Sequence, residues 1–368
     1  MRIPYPVFLK RTEDTPKWLP IVTSVGAVLL AFIISAIILA ATGADPFKVY
    51  SYLYKASFGS WGAFSDVIVK ATPLMLIGLG CSLAFRMRLW NIGAEGQFFV
   101  GAFLASAVVM VPLVNLDTTP RWAVISLMAA LGMFGGAAYA FIAGVLKAKL
   151  NINEIIITLM LNYIAVLWNN YWIFGKWSEA GFQMTKTFPK VAWLPRLADY
   201  AKQVPAFSGM TLHAGILFGL IAAVIVYLIV YRSKWGYKIT LIGDNRRAAR
   251  YAGINITANT ILVFMVSGAL AGLAGMTEVS GVVHRLQERI STSYGFSGVI
   301  VAWLAKLHPF AVIVVSILFG ALLVASREIQ PSGLSFLIQG ITLFLVISSD
   351  VLLKYEIKWV RPAQEIAE

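Results

Sequence analysis

Polar side chains at the start of a long apolar run are the first candidates for contacting a solute. Asn91, Glu95 and Gln97 lie in the stretch N-I-G-A-E-G-Q, where Gly93 and Gly96 loosen the backbone. A carboxylate costs about 3 kcal/mol at the centre of a bilayer, so we expect Glu95 near the interface, at a helix N-terminus or beside a polar cavity. Two interpretations remain open: Asn91 and Glu95 satisfy free amides at an ordinary helix start, or an interrupted helix shapes a pathway.

A second group of candidates is a row of amides in the apolar run 155–174. The spacing of Asn162, Asn169 and Asn170 places them on one side of a helix, with Tyr163 nearby. Such amides should face protein or water. Hydrogen bonds between helices explain the row, and so does a path for a polar, uncharged solute. The scarcity of charges within the runs favours such a solute over an ion.

A third candidate is the polar segment after the run 212–231. Asp244 or Asn245 can cap the N-terminus of a helix there, and Gly253 suits a C-terminal cap. Ala248 and Ala249 between them favour helix. The pattern predicts a two-turn helix that docks on another protein. The alternative is a basic loop whose arginines are attracted to anionic lipid.

Signatures of catalysis are missing from the sequence. It has no G-x-x-x-x-G-K-[ST], H-E-x-x-H or G-x-S-x-G motif. The scattered histidines, His213, His284 and His308, are interpreted as structural residues at the membrane interface. Cys81 is the only cysteine, which excludes an intrachain disulfide or a cysteine zinc cluster. We therefore expect no enzyme activity, no metal site and no cofactor.

Composition indicates the solvent in which these residues lie. Of the 368 residues, 59% are hydrophobic and only 13% are charged, and the mean hydropathy is +0.78; soluble domains have about 25% charged residues. The net charge of +13 is spread over short clusters and forms no basic stripe, so binding to nucleic acid is not expected. The sequence predicts an all-α, polytopic membrane protein.

Ten apolar runs are candidates for transmembrane helices. They are 19–42, 65–85, 92–113, 122–146, 155–174, 212–231, 258–280, 296–307, 310–326 and 334–353. The eighth run is short and could equally be a re-entrant half-helix that packs against protein. Small residues spaced by four predict close helix packing, either within one subunit or between subunits. These pairs are Gly132 with Gly136, Ala140 with Gly144, and Gly268 with Gly272.

The charges of the connecting segments predict the topology. An even number of crossings and an excess of Lys and Arg in the short inner segments place both termini in the cytoplasm, with Lys70 counted among the outer charges. The predicted parts are a cytoplasmic segment 1–18, a transmembrane domain 19–353 with an external loop 176–211 and a cytoplasmic loop 233–257, and a cytoplasmic tail 354–368.

Four segments resemble one known family. Leu89 to Gln97 is similar to the L-[FW]-N-I-G-x-E-G-Q signature of ABC-importer permeases of the simple-sugar and nucleoside class. Residues 153–165 resemble the E-[VI]-I-x-T-x-M-x-N-Y-I-A stretch of the same group, in the form typical of nucleoside-type permeases. Residues 243–253 resemble the family's cytoplasmic coupling segment, and residues 268–275 resemble the helix after it. The resemblance covers roughly residues 20 to 355.

The resemblance implies a type II ABC importer in a bacterial inner membrane. Such an importer combines two permease subunits, two cytoplasmic ATPases and an extracytoplasmic solute-binding protein. The candidates for the substrate pathway are then Asn91, Glu95, Gln97, Asn162, Tyr163, Asn169 and Asn170. The candidates for coupling to the ATPase are Gly243, Asp244, Asn245, Ala248, Ala249, Tyr251 and Gly253. The chain departs from the family pattern at Arg246 and Arg247, where a Pro-Glu pair is expected, and at Ser297 and Lys306.

The expected solute is a nucleoside, and the expected second permease is a related but distinct chain, with a homodimer as the alternative. A monosaccharide such as ribose is the alternative solute, because both are neutral and polar. A gradient-driven transporter is disfavoured, since no mid-span carboxylate and no inverted repeat is visible in the sequence.

Overall fold

The computed structural model describes residues 5–10, 18–111, 113–325 and 333–360. Within these ranges the regular secondary structure is helical apart from one pair of short strands. The chain divides into two compact units. One unit contains the two chain ends, up to residue 50 and from residue 330, and the other contains residues 51–329.

The unit of the chain ends is built from two helices and two strands. Helix α1 (Leu19–Ala41) packs against α13 (Leu334–Lys354). Strand β1 (Tyr5–Lys10) pairs antiparallel with β2 (Tyr355–Val360). These strands were not predicted, and they lie in the segments 1–18 and 354–368, whose other residues are mostly outside the described ranges. The pairing brings the two ends of the chain together.

Helix α1 has the pattern of a helix with one protein-facing side. Ala27, Ala31, Ser35 and Leu39 recur every four residues and are buried. The residues between them, such as Ile33, are exposed and apolar. A 3.6-residue repeat separates these two sets onto opposite sides, and the exposed side suits lipid.

The remaining helices follow the predicted runs, with three additions. In chain order they are α2 (Pro46–Phe58), α3 (Trp61–Arg86), α4 (Ala94–Met110), α5 (Arg121–Leu150), α6 (Glu154–Phe174), α7 (Gly215–Arg232), α8 (Lys234–Asp244), α9 (Arg246–Tyr251), α10 (Ile256–Glu278), α11 (Tyr294–Leu304) and α12 (Pro309–Ala325). Helix α9 is the predicted short helix. Helices α2 and α8 were not predicted, because their apolar residues are interrupted by polar ones.

Helices α3 and α10 form the centre of the larger unit. Helix α10 packs against α5, α4 and α3, and α3 also packs against α7, α11 and α12. The predicted small-residue contacts join α5 to α10: a β-carbon on Gly136 would overlap the carbonyl oxygen of Gly268, and one on Gly272 would overlap that of Gly132. The structure therefore supports packing within one chain as the reason for these pairs.

The lengths of the helices bear on the predicted number of crossings. Among the described residues, six helical segments are long and apolar enough to span a bilayer, and four shorter apolar helices accompany them. Helix α11 corresponds to the short eighth run. At about 1.5 Å per residue it is about 17 Å long, against about 30 Å for the hydrocarbon core, which matches the half-helix alternative.

The predicted external loop is ordered and covers the end of α10. A π-helix, Val279–Val283, continues α10, and the backbone of residues 185–194 donates hydrogen bonds to carbonyl groups of Ser280, His284 and Leu286. The Arg196 guanidinium donates to the carbonyls of Gly281 and Val282. Burial lowers the pKa of Arg196, an effect that the Asp199 carboxylate opposes.

The histidines lie near helix ends, and two of them are buried in protein. His213 precedes α7, and His284 follows the π-helix and stacks on Trp193 with ring centroids 3.8 Å apart. His308 is half-buried beside the rings of Tyr227 and Phe310.

Candidate functional site

The first polar cluster surrounds a non-helical segment between α3 and α4. Asn91 is fully buried, and its side chain exchanges two hydrogen bonds of 2.9 Å with the side-chain amide of Gln97. Asn91 also donates to the Ser267 hydroxyl of α10 at 2.9 Å. Asn91 therefore does not cap α4. It fixes the non-helical segment to the central helix of the unit.

Asn162 of α6 supplies the partner that the start of α4 lacks. Its Oδ1 accepts a hydrogen bond of 2.7 Å from the Gly96 amide, and its Nδ2 donates one of 2.9 Å to the Ile92 carbonyl. The Gly93 position that precedes α4 has no side-chain cap. Asn162 thus satisfies one of the free amides of a helix start from a neighbouring helix.

Both glycines of this segment are needed for the close approach of α6. A β-carbon on Gly96 would lie 2.9 Å from Asn162 Oδ1 and 3.0 Å from Asn162 Cα. A β-carbon on Gly93 would lie 2.9 Å from the β-carbon of Thr158. The two sequence motifs, residues 89–97 and 153–165, are therefore the two sides of one contact.

Glu95 caps a different helix from the one that contains it. Its carboxylate accepts a hydrogen bond of 2.6 Å from the Gly295 amide at the start of α11, and it is 8% exposed. A negative group at a helix N-terminus is stabilised by the helix dipole. Three environments were predicted for Glu95, and the structure places its carboxylate at a helix N-terminus.

The amide row on α6 divides into residues with different environments. Both polar atoms of the Asn162 side chain are hydrogen-bonded. Asn169 is completely buried, and both polar atoms of its side chain lack a partner among the described residues. Asn170 is half-buried, and Tyr163 points outward with 66% of its surface exposed. The predicted shared side therefore holds for Asn162 and Asn169, and Tyr163 lies off it.

Aromatic rings lie along the C-terminal half of α6. Phe103 of α4 stacks on Trp177 with centroids 4.8 Å apart and contacts Trp168 and Trp172. Asn169 lies between Trp168 and Trp172 in the chain. Flat rings and a free amide are the groups that bind polar ring-shaped solutes, by stacking and by hydrogen bonding.

The third cluster forms a capped helix beside a groove. Asn245 accepts hydrogen bonds of 3.0 Å from the amides of Arg247 and Ala248, so it is the N-cap of α9 and Asp244 is not. Gly253 follows α9 with a φ of +71°, which confirms the predicted C-terminal cap. Ala249 is buried against the protein, and Ala248 is exposed.

The groove next to α9 has a volume of about 420 Å³. Its walls are the loop after α3, the start of α6 and the end of α8, and it is lined by Met87, Arg88, Leu89, Lys147, Glu154 and residues 242–247. Gly243 is buried so close to the loop after α3 that a β-carbon there would overlap the carbonyl oxygen of Arg86. Asp244 and Asn245 are exposed, and Tyr251 is 94% exposed. The surface is a concave site with exposed groups along its rim.

A buried ion pair was missed by the sequence analysis. Lys70 Nζ of α3 lies 2.7 Å from Glu278 Oε1 of α10 and 2.7 Å from the hydroxyl of Tyr294 of α11. The Lys70 and Glu278 side chains are 7% and 2% exposed. Counting Lys70 with the outer charges was therefore wrong, because it is paired inside the protein. The sequence contained a signal for this pair, namely a cation in one apolar run and an anion in another. Charges inside a membrane usually pair, so each of them predicted a partner.

Comparison with known proteins gives a family and several relatives. The family model described as "Branched-chain amino acid transport system / permease component" matches residues 63–347. The glucose ABC transporter permease protein TsgB13 of Haloferax volcanii is 30% identical over 94% of this chain and 92% of its own. The guanosine ABC transporter permease protein NupP of Bacillus subtilis is 31% identical over 88% of this chain and 92% of its own.

A second permease of the same organism also matches. The guanosine ABC transporter permease protein NupQ of Bacillus subtilis is 25% identical over 69% of this chain and 78% of its own length. No solved structure matches the chain significantly.

Proposed function

The chain belongs to the family of permease components of branched-chain amino acid transport systems, and from this membership we propose that it imports a nucleoside. It is a multi-pass membrane protein and a non-catalytic permease subunit of an ABC importer. Such a subunit works with an ATPase and a solute-binding protein. The proposal concerns the solute, the second permease, the topology and the residues involved.

The observation that carries the solute proposal is the free amide of Asn169. A buried amide without a partner costs free energy, because it has lost its hydrogen bonds to water. A passing solute with hydroxyl groups or ring nitrogens offers the missing partners, and the rings of Phe103, Trp168 and Trp172 offer flat surfaces. Nucleosides have both features. The likeness of residues 153–165 to nucleoside-type permeases and the similarity to NupP support the same solute class.

Glucose or another monosaccharide is the second candidate solute. The similarity to TsgB13, which covers 94% of this chain, is the observation that favours it. Sugar rings also stack on aromatic rings and bind amides, so the environment of Asn169 suits both classes. Uptake by intact cells separates them: a strain without this permease should lose uptake of radiolabelled nucleoside and keep uptake of glucose and ribose. The opposite pattern would refute the nucleoside proposal.

In this proposal the polar residues have two different tasks. Asn169, with Asn170 beside it and Tyr163 on the outward side, borders the solute path. Asn91, Gln97 and Asn162 hold the non-helical start of α4 in place, and Glu95 holds α11. Their polar atoms are used within the chain, so they act on the pathway by fixing its shape.

The capped helix α9 and its groove are proposed to dock on the ATPase. The exposed groups at the rim are Asp244, Asn245, Ala248 and Tyr251, and the buried Gly243 and Ala249 attach this surface to the bundle. Gly253 ends the helix. A rigid, concave surface beside the ends of α3 and α6 can transmit a displacement of the ATPase to both helices.

The second permease is proposed to be a related, distinct chain. NupP and NupQ are both guanosine ABC transporter permease proteins of Bacillus subtilis, and both are similar to this chain. Both termini are proposed to lie in the cytoplasm, which the pairing of β1 with β2 supports, because it brings the chain ends to one side of their unit. Co-purification followed by intact-mass measurement tests the pairing, and finding only this permease with the ATPase would refute it.

A further inference from the structure

The short helix α11 is held at its first two residues by acidic groups of two other helices. The Tyr294 hydroxyl lies 2.7 Å from Lys70 Nζ and 3.3 Å from Glu278 Oε2, and Tyr294 is completely buried. The next residue, Gly295, donates its amide to Glu95 at 2.6 Å. Helices α3, α4 and α10 therefore meet at the start of α11.

The backbone on both sides of α11 has a conformation that non-glycine residues rarely adopt. Arg289 and Ser293 precede the helix with φ angles of 54° and 62°, and Lys306 and Leu307 follow it with 48° and 59°. Ser293 occupies the N-cap position, where an extended backbone is usual, and its side chain makes no capping hydrogen bond. The helix is thus a regular segment between two strained connections.

The ion pair at the start of α11 is an unusual way to pack a membrane protein. Burying two charges costs most of what their attraction returns, so apolar side chains of similar size would pack this place at least as well. Buried charges inside a membrane protein generally accompany function. The π-helix that begins directly after Glu278 is a second irregularity of a kind that is frequent at functional sites.

We propose that α11 moves as a rigid segment during the transport cycle and that Lys70, Glu278 and Tyr294 form the latch that holds it in the conformation described here. Release breaks the contacts of Tyr294 with the ion pair, and Lys70 and Glu278 remain paired with each other. The strained connections supply the two hinges. Lys70, Glu278 and Tyr294 are positioning residues in this proposal and do not bind the solute.

A cross-link between α3 and α11 tests the movement. A β-carbon on Gly78 would lie 3.6 Å from the β-carbon of Val301, which is within the range for a disulfide. The variant combines Gly78→Cys and Val301→Cys with Cys81→Ala, since Cys81 is the only native cysteine. It is reconstituted with its ATPase, second permease and binding protein, and oxidised with copper phenanthroline.

A matched cross-link that does not involve α11 is the control. Gly219→Cys with Met75→Cys joins α7 to α3, where the two β-carbons would be 3.8 Å apart. We expect oxidation of the α3–α11 pair to reduce uptake at least about tenfold, with recovery on adding dithiothreitol. We expect the α3–α7 pair to keep its uptake. Unchanged uptake after complete α3–α11 cross-linking would overturn the proposal.

The parent complex separates a wrong solute from a wrong movement. The parent complex with Cys81→Ala alone has to transport the test solute before the cross-linked variants are compared. If the proposed solute class is wrong, the parent fails. If the proposed movement is wrong, the parent transports and the α3–α11 cross-link has no effect.

Tyr294→Phe tests the latch without changing the packing of the ring. It removes one hydroxyl, so the released state should gain about threefold relative to the latched state, the usual effect of one hydrogen bond inside a membrane protein. The readout is ATP hydrolysis without solute divided by hydrolysis with solute-loaded binding protein. We expect this ratio to rise about threefold. A purely structural defect would lower both rates together, and an unchanged ratio would contradict the latch.

Discussion

Asn162 and Asn169 offer a direct test of the division of tasks along α6. Both are asparagines on the same buried side of one helix, seven residues apart. Asn162 has two hydrogen bonds to the start of α4, and Asn169 has no partner among the described residues. Leucine has nearly the same shape as asparagine, so Asn162→Leu and Asn169→Leu remove the polar atoms at two comparable positions.

The expected effects on stability follow from the hydrogen bonds. One side-chain hydrogen bond inside a membrane protein contributes about 0.6 kcal/mol on average and up to about 1.7 kcal/mol. Asn162→Leu loses two and leaves the Gly96 amide and the Ile92 carbonyl without partners, which gives a loss of about 1–3 kcal/mol. Asn169→Leu loses no protein hydrogen bond and removes a buried amide without a partner. Its stability should be unchanged or higher.

Thermal unfolding of the purified complex in detergent measures the difference, with tryptophan fluorescence as the signal. For a chain of this length, a loss of about 2 kcal/mol corresponds to a fall in Tm of about 2–3 °C. We expect that fall for Asn162→Leu and none for Asn169→Leu. The Asn169→Leu variant, whose Tm should not fall, should nevertheless be impaired in uptake at a normal protein level. Equal Tm values for the two variants, or full uptake by Asn169→Leu, would refute the reasoning.

Three further predictions concern the other parts of the site. Glu95→Ala should reduce both the yield of assembled complex and uptake, whereas Glu95→Gln keeps an acceptor for Gly295 and should be milder; equal yields in co-purification would contradict the capping role. Ala248→Glu should uncouple ATP hydrolysis from uptake with normal insertion, because Ala248 is exposed at the docking rim, and unchanged solute-stimulated hydrolysis would count against docking. Gly136→Ala should lower stability by about 1–3 kcal/mol through overlap with α10, while Gly26→Ala, which has open space around it, should leave Tm unchanged.

The local patterns in the sequence were sufficient to predict most helices. Long apolar runs in the sequence identified the apolar helices. The small-residue pairs of α5 and α10 indicated the close contact of these two helices, because a four-residue spacing aligns residues on one side of a helix. The caps of α9 followed from residue types whose side chains and backbone angles suit helix ends. These features depend on residues close together in the chain, so a single sequence contains them.

Contacts between distant residues could not be predicted in the same way. Glu95 caps α11, which begins 199 residues later, and Lys70 finds its partner 208 residues away. The residue types required pairing, but nothing in their spacing identified the partner. Asn162 and Asn169 share a helical side, yet only the position of α4 separates a hydrogen-bonded amide from a free one. The strands β1 and β2 were missed because they are short and pair over more than 340 residues of sequence.

Reconstituted transport tests the central claim most directly. The permease, its second permease, the ATPase and the binding protein are placed in vesicles, and uptake of a nucleoside, ribose and glucose is compared with and without ATP. We predict uptake of the nucleoside that requires ATP and the binding protein and is reduced by Asn169→Leu. ATP-driven uptake of glucose or ribose without any uptake of nucleoside would contradict the proposed function.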